Sequence, residues 1–181
     1  MARLPQNDTG DLTEFRVKQK IESFGLITKK PTPDYGIDLE VVNPEIGECA
    51  GIQVKGRNPK KIKTYRWFQL RVPKRQLEGA RDNGTAAERT WYEKVQKADF
   101  FILDAVKVNE MWVLTQQQTF ELIRLNEAKY HNRPDNVFVY DNPIKDKQKE
   151  MNLEVPGVME QFASCKNNFL PLLEFLGVKS S

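Results

Sequence analysis

Apolar residues near the start of the chain follow the spacing of an amphipathic helix. Between residues 11 and 24 they stand at Leu12, Phe15, Val17, Ile21 and Phe24, with Val17 the least regular. Gly25 follows, where a helix commonly ends with a residue in the left-handed conformation. The pattern therefore predicts one helix over residues 11–24.

Two segments further on alternate between apolar and polar residues, which is typical of strands. The first covers residues 37–42 and the second covers residues 50–55. Only residues 43–49 connect them, a length expected for a hairpin. We therefore expect two antiparallel neighbouring strands.

The rest of the chain adds strands and helices in turn. The predicted elements are a strand over 65–72, a short helix over 73–80, a helix over 86–97, a strand over 98–108, a strand over 111–114, a helix over 115–131, a polar irregular segment over 132–149, and a helical region over 156–176 interrupted near Pro171. This order predicts an α/β fold with a central mixed sheet flanked by helices. We expect a single domain over residues 1–181, with a helical C-terminal extension from about residue 150.

Composition excludes several kinds of protein and of metal site. Apolar residues make up 39% of the chain and charged residues 29%, as in soluble proteins, and no apolar run is long enough to span a membrane. Without a secretory signal, and with only Cys49 and Cys165, we expect a cytoplasmic protein. His131 is the single histidine, which excludes sites built on several histidines or cysteines.

Positive charge is concentrated in one segment, although the net charge is only +3. Nine basic residues and no acidic residue occur between positions 55 and 75, namely Lys55, Arg57, Lys60, Lys61, Lys63, Arg66, Arg71, Lys74 and Arg75. Such a segment is typical of proteins that bind a polyanion, although a solvated lysine-rich loop has the same composition.

Three polar residues occupy the predicted hairpin at positions where their side chains converge. Alternation places Asp38 away from Ile37, and it places Gln53 and Lys55 together on one face of the second strand. Hairpin pairing would set Asp38 opposite Gln53, with Gly51 leaving open space beside them. Taken alone, such a triplet is more often an ordinary ion pair on a hydrated sheet face than a functional site.

The surrounding sequence resembles the signature of the PD-(D/E)xK nucleases. The similarity lies in Pro-Asp-Tyr-Gly-Ile-Asp-Leu-Glu-Val at residues 33–41 and Gly-Ile-Gln-Val-Lys-Gly at residues 51–56. It is closest to the branch with Mrr-like restriction enzymes and archaeal Holliday junction resolvase-like proteins. The resemblance implies a restriction-endonuclease-like αβββαβ core and a nuclease acting on DNA, either in restriction or phage defence or on branched repair intermediates.

The resemblance also assigns roles to individual residues. Asp38 matches the metal-binding aspartate, Gln53 the second metal-binding position, and Lys55 the catalytic lysine, while Glu14 on the first helix matches an additional glutamate. Asp34, in the literal Pro-Asp pair, is the rival of Asp38 but precedes the predicted strand. Gln53 stands where most members have Asp or Glu, and a neutral amide should weaken metal binding.

The implied cofactor is Mg²⁺, with Mn²⁺ as a substitute, held by Asp38, the Gln53 side chain and the Val54 carbonyl. The expected nucleic-acid contacts follow Lys55 along the chain, at Arg57, Lys60, Lys61, Lys63 and Arg66. Cutting both strands of a duplex with one centre per chain implies a homodimer or a partner subunit. An inactive DNA-binding subunit remains the alternative because Gln53 is neutral.

Overall fold

A computed structural model describes residues 7–32, 36–57, 65–69, 97–129, 136–140 and 161–179. Its helices are α1 (Asn7–Glu22), α2 (Gln116–Lys129) and α3 (Leu170–Phe175). Its strands are β1 (Ile27–Lys29), β2 (Leu39–Val42), β3 (Cys49–Arg57), β4 (Tyr65–Gln69), β5 (Phe100–Ala105), β6 (Glu110–Thr115) and β7 (Asn136–Tyr140).

The main sheet has five strands in the order β1-β2-β3-β5-β6. β3 pairs with β5 in parallel, while the other neighbouring pairs are antiparallel. β5 is buried along its whole length, as its apolar sequence predicts. The prediction of an α/β fold with a central mixed sheet flanked by helices is confirmed, and so is the antiparallel hairpin of β2 and β3.

The turn between β2 and β3 is closed by Asn43. Its backbone N–H donates to the carbonyl of Glu48 at 2.8 Å, and its carbonyl accepts from the N–H of Gly47 at 2.8 Å. Gly47 has a φ of 78°, a conformation that glycine adopts without steric cost. The Asn43 side chain also donates to the Leu176 carbonyl at 2.8 Å, which ties the turn to the end of α3.

One face of the main sheet packs against α1 and α3. Val17 and Ile21 of α1 lie in a buried cluster with Ile52 and Val54 of β3 and with Leu172 of α3. The helix also crosses β3 closely at Gly56, where an added Cβ would stand 2.7 Å from the Thr13 Cβ. A side chain larger than hydrogen at position 56 therefore conflicts with α1.

The buried stripe of α1 differs from the one that the sequence predicts. Val17 is fully buried, whereas Leu12 and Phe15 are 38% and 54% exposed. Residues 13, 17 and 21 face the sheet instead, because residues four apart lie on one side of a helix. Gly25 has a φ of 83°, so the predicted glycine at the helix end is confirmed.

The largest difference from the sequence-based prediction concerns β4. It does not join the main sheet but pairs with β7 in a separate two-stranded sheet, in a segment predicted to be irregular. Phe68 of β4 is buried, and its ring lies 6.3 Å from the ring of Trp112, edge to face. β4 and β7 therefore lie on the side of the main sheet that is opposite α1.

Two smaller differences concern β1 and the C-terminal region. β1 was not predicted, because three residues are too short to show alternation. The C-terminal region is interrupted before α3 rather than at Pro171, which lies in the first turn of α3, where a missing N–H costs nothing. The predicted helix over 73–80, most of the one over 86–97, and Leu70 and Val72 lie outside the described residues.

None of the helices in the described part of the chain is both long enough and apolar enough to cross a membrane.

Candidate active site

The hairpin of β2 and β3 sets Asp38 opposite Gln53. Leu39 pairs with Ile52, and the backbone N–H of Asp38 donates to the Ile52 carbonyl at 2.9 Å, one step before β2 begins. Asp38 therefore precedes the strand rather than lying within it. The continued register brings its side chain to the same place as that of Gln53.

The carboxylate of Asp38 is held by two neutral donors. Its Oδ2 atom accepts a hydrogen bond from the side-chain amide of Gln53 and a second from the backbone N–H of Val54, the latter at 2.7 Å. Gln53 is 8% exposed, and Asp38 is half-buried. Both hydrogen bonds use Oδ2, so the Oδ1 oxygen of Asp38 takes no part in them.

Basic side chains occupy the same face of β3 as Gln53. Successive residues of a strand point to opposite faces, so Gln53, Lys55 and Arg57 share one face, while Ile52 and Val54 point to the core below α1. Lys55 and Arg57 are both half-buried. The structure thus places one amide and two cations along one row of β3, with the Asp38 carboxylate opposite the amide.

The backbone of Val54 faces the same side of β3 as Asp38. In a strand, the N–H and the C=O of one residue point to the same neighbouring strand. The N–H of Val54 points to Asp38, so the Val54 carbonyl also points to that side, beyond the residue where β2 begins. A backbone oxygen of β3 is therefore directed to the side on which Asp38 lies.

The space beside Gly51 is filled rather than open. A Cβ added to Gly51 would stand 2.8 Å from Cδ1 of Ile37, so the Ile37 side chain covers this part of the strand. Two expectations were therefore wrong, the open space at Gly51 and the placement of Ile37 with Leu39. Because Ile37 precedes β2, the alternation of that strand does not fix the direction of its side chain.

Glu14 reaches the neighbourhood of the site from α1. Its Oε2 atom lies 3.3 Å from Nζ of Lys30, and Glu14 is 26% exposed. The hydrogen bond and the charge of Glu14 raise the pKa of Lys30 above its usual value. Partial desolvation opposes this rise, and the charges of Asp11 and Asp38 add to it. Glu14 and Asp38 therefore act on the same cation.

The described residues provide few charged ligands for a metal. Among them, no group of three or more His, Cys, Asp or Glu side chains could hold an ion. A metal at this site would depend on uncharged oxygens as well as on Asp38.

Several sequence-predicted residues lie where the structure says nothing of their side chains. Asp34, Lys60, Lys61 and Lys63 are outside the described residues. Arg66 belongs to β4, where it pairs with Val139 of β7, so its backbone is part of the second sheet.

A second polar cluster, which the sequence interpretation missed, joins α1 to β5. Asp104 is fully buried, and Nε of Arg16 lies 2.9 Å from its Oδ2 atom. Burial raises the pKa of Asp104, and the hydrogen bond and charge of Arg16 oppose that rise. An aspartate within the apolar run of β5 was the signal, because a buried charge requires a partner.

No protein-family model matches the chain, and no curated protein matches it. Among solved structures, the bacterial homing endonuclease I-Ssp6803I is similar, with a TM-score of 0.55 over 95% of this chain and 94% of that chain. The sequence identity is 12%, so the likeness concerns the fold alone. The chain thus has an endonuclease-like α/β fold.

Proposed function

We propose that this protein is a divalent-metal-dependent endonuclease that hydrolyses DNA phosphodiester bonds, with its active site at Asp38, Gln53 and Lys55. One observation carries the proposal. Asp38 is fixed opposite Gln53 by hydrogen bonds to Oδ2, and Lys55 follows on the same face of β3. The endonuclease-like fold supports it further, because this hairpin lies within the main sheet.

The chemistry of these oxygens fits Mg²⁺ or Mn²⁺. Mg²⁺ is usually bound through one or two carboxylates, waters and substrate phosphates rather than by a complete protein cage. Asp38 would supply the carboxylate, Val54 its carbonyl, and Gln53 its amide oxygen after the amide turns over. This rotation would replace the hydrogen bond from Gln53 to Asp38 with a shared contact to the ion.

A bound ion would supply polarisation of the scissile phosphate and a lower pKa for the attacking water. The chain's own residues would supply the rest. The Lys55 ammonium would stabilise negative charge that develops on the phosphate, as electrostatic groups at active sites do. Glu14 would add negative charge from α1, and Arg57, two residues beyond Lys55 on the same face, would bind a neighbouring phosphate.

We extend the DNA contact surface along the basic segment to Lys60, Lys61, Lys63 and Arg66. Phosphate contacts of this kind position a nuclease without reading sequence. The proposed biological role is restriction or phage defence. A homodimer or a partner subunit would provide the second active site.

A DNA-binding subunit without catalytic activity is the second candidate, and one observation favours it. The Gln53 side chain is neutral, and its amide nitrogen donates to Asp38 instead of its oxygen facing a metal. A structure-selective junction or repair nuclease is a third candidate, which differs from the first only in its substrate.

The test is cleavage of supercoiled plasmid, linear duplex and four-way branched DNA with Mg²⁺ or Mn²⁺. The site variants are Asp38→Asn and Lys55→Ala. The matched controls are Glu48→Gln, an exposed acid in the same hairpin, and Lys107→Ala, an exposed lysine after β5. We expect the wild type and both controls to cut, and both site variants to lose activity.

Other outcomes select among the candidates. Undiminished cleavage by Asp38→Asn would refute the proposed site. DNA binding by an inactive wild type, with no metal bound in calorimetry, would establish the binding subunit. Cutting restricted to branched DNA would identify a junction nuclease.

A further inference from the structure

Lys30 extends the edge of the main sheet next to β2. It follows β1, in which Thr28 pairs with Val41 and Lys29 with Glu40. The next step of this antiparallel register leads to Leu39 and then to Asp38. Lys30 is therefore carried to the end of β2 at which Asp38 is held.

The surroundings of Lys30 are negative. Its Nζ atom lies 3.3 Å from Oε2 of Glu14, and the side chain remains 73% exposed. Asp11, one turn before Glu14 on α1, and Asp38 act on the same ammonium group. One exposed cation thus shares its environment with the two carboxylates proposed to serve the metal.

We propose that Lys30 is an internal cation that competes with the divalent metal for Glu14. This inference rests on the proposed function, because it presumes a metal at Asp38. While Glu14 pairs with Lys30, its Oε2 oxygen is engaged and the negative charge of its carboxylate is partly offset. The ammonium also repels an ion approaching Asp38, so the site binds its metal weakly.

Solvent exposure of the pair between Lys30 and Glu14 allows a metal ion to compete with Lys30. An ion pair in water is weak, because solvent and salt screen the attraction between the two charges. Glu14 can therefore leave Lys30 without a large cost when a stronger cation arrives. A pair whose acid is fully buried, such as the one between Arg16 and Asp104, would not exchange in this way.

The test measures Mn²⁺ binding by electron paramagnetic resonance, in the absence of DNA. Lys30→Gln should bind Mn²⁺ about threefold to tenfold more tightly than the wild type, because one repelling charge is removed from near the site. Lys30→Arg, which keeps the charge, should bind as the wild type does. The matched control is Lys18→Gln, since Lys18 is an exposed lysine on α1 that pairs with Glu22 at 3.8 Å.

A double variant tests whether Glu14 is the shared ligand. Glu14→Gln alone should weaken Mn²⁺ binding, and the gain from Lys30→Gln should be smaller in that background. The inference would be overturned if Lys30→Gln tightened Mn²⁺ binding equally with and without Glu14. It would also be overturned if Lys30→Gln alone left Mn²⁺ binding unchanged or weaker. Far-UV circular dichroism of each variant checks that the fold is retained.

The outcomes separate this inference from the proposed function. If the protein cleaves DNA but Lys30→Gln binds Mn²⁺ with the affinity of the wild type, the inference alone is overturned. Tighter Mn²⁺ binding by Lys30→Gln without cleavage of any DNA supports the inference and removes the proposed activity. Absence of Mn²⁺ binding by every variant overturns both.

Discussion

Asp38 and Asp104 show how one fold uses two carboxylates differently. Asp104, on β5, is fully buried against the guanidinium of Arg16. Asp38, just before β2, is half-buried, and the two hydrogen bonds at its Oδ2 come from neutral groups. The carboxylate of Asp104 is paired with the guanidinium of Arg16. The hydrogen bonds at Oδ2 position the carboxylate of Asp38 without neutralising its charge. We assign Asp104 a structural role and Asp38 a role in catalysis.

The largest expected effect separates the two acids by activity. Asp38→Ala should reduce metal-dependent cleavage by about a hundredfold or more, because the proposed metal loses its charged ligand. Its free energy of unfolding should fall by no more than about 1–2 kcal/mol, since the buried Gln53 amide loses its acceptor while Asp38 itself is only half-buried. Cleavage assays and urea unfolding of the same preparation measure both quantities. A loss of cleavage activity matched by a comparable loss of the free energy of unfolding would show that Asp38 has a structural role.

The converse change should act on stability. Asp104→Ala should lower the free energy of unfolding by about 2–4 kcal/mol, because it removes the acidic partner of Arg16 and opens space in β5. Urea unfolding at neutral pH measures the loss. Glu121→Ala, at an exposed position of α2, provides the control and should change little. A loss below about 1 kcal/mol would contradict the structural role of the pair.

These two acids also show how far the sequence leads. Asp38 and Gln53 are 15 residues apart in one hairpin, so alternation and the short connection suffice to place them opposite each other. Arg16 and Asp104 are 88 residues apart, and no local pattern links them. The same limit explains β4, whose alternation predicts a strand but not its pairing with the distant β7.

Side-chain direction near the ends of strands is the second limit. Ile37 has the correct parity to join Leu39 in the core, yet its side chain lies over Gly51 because it precedes β2. On α1, the buried residues are those spaced four apart from Thr13, whereas the apolar residues Leu12 and Phe15 are exposed. The roles proposed for Glu14, Asp38, Gln53 and Lys55 come from the resemblance and remain predictions.

An intermediate effect should follow from adding charge beside Asp38. Gln53→Glu supplies a second carboxylate and should tighten Mn²⁺ binding by about tenfold. Isothermal titration calorimetry measures the change, and Gln118→Glu, in the first turn of α2, serves as the control. Weaker binding by Gln53→Glu would mean that the amide itself is required to hold Asp38 in place.

The smallest effect concerns pH. Burial raises the pKa of Asp104 above its ordinary value, so the folded protein binds this proton more tightly than the unfolded chain. The contribution of Asp104 to stability therefore falls as pH rises from the ordinary carboxyl pKa of about 3.9 to the raised value, and is constant above it. The stability advantage of the wild type over Asp104→Asn should shrink accordingly.

Arg16→Met sharpens this test. Arg16 opposes the rise in the pKa of Asp104, so its removal should widen the pH range over which stability falls. Urea unfolding between pH 4 and pH 7, in steps of about half a pH unit, measures both variants. Parallel curves for wild type and Asp104→Asn would contradict the raised pKa.

The parallel pairing of β3 with β5 has a consequence for how the protein folds. Gly51 and Asp99, which join these strands by hydrogen bonds, are 48 residues apart, whereas the hairpin of β2 and β3 closes over a short turn. Closing longer loops costs more entropy, and distant pairings form slowly. A ribosome completes the hairpin well before it reaches β5. We therefore expect Asp38 and Gln53 to meet early in the nascent chain, and sheet closure across β3 and β5 to set the rate of folding.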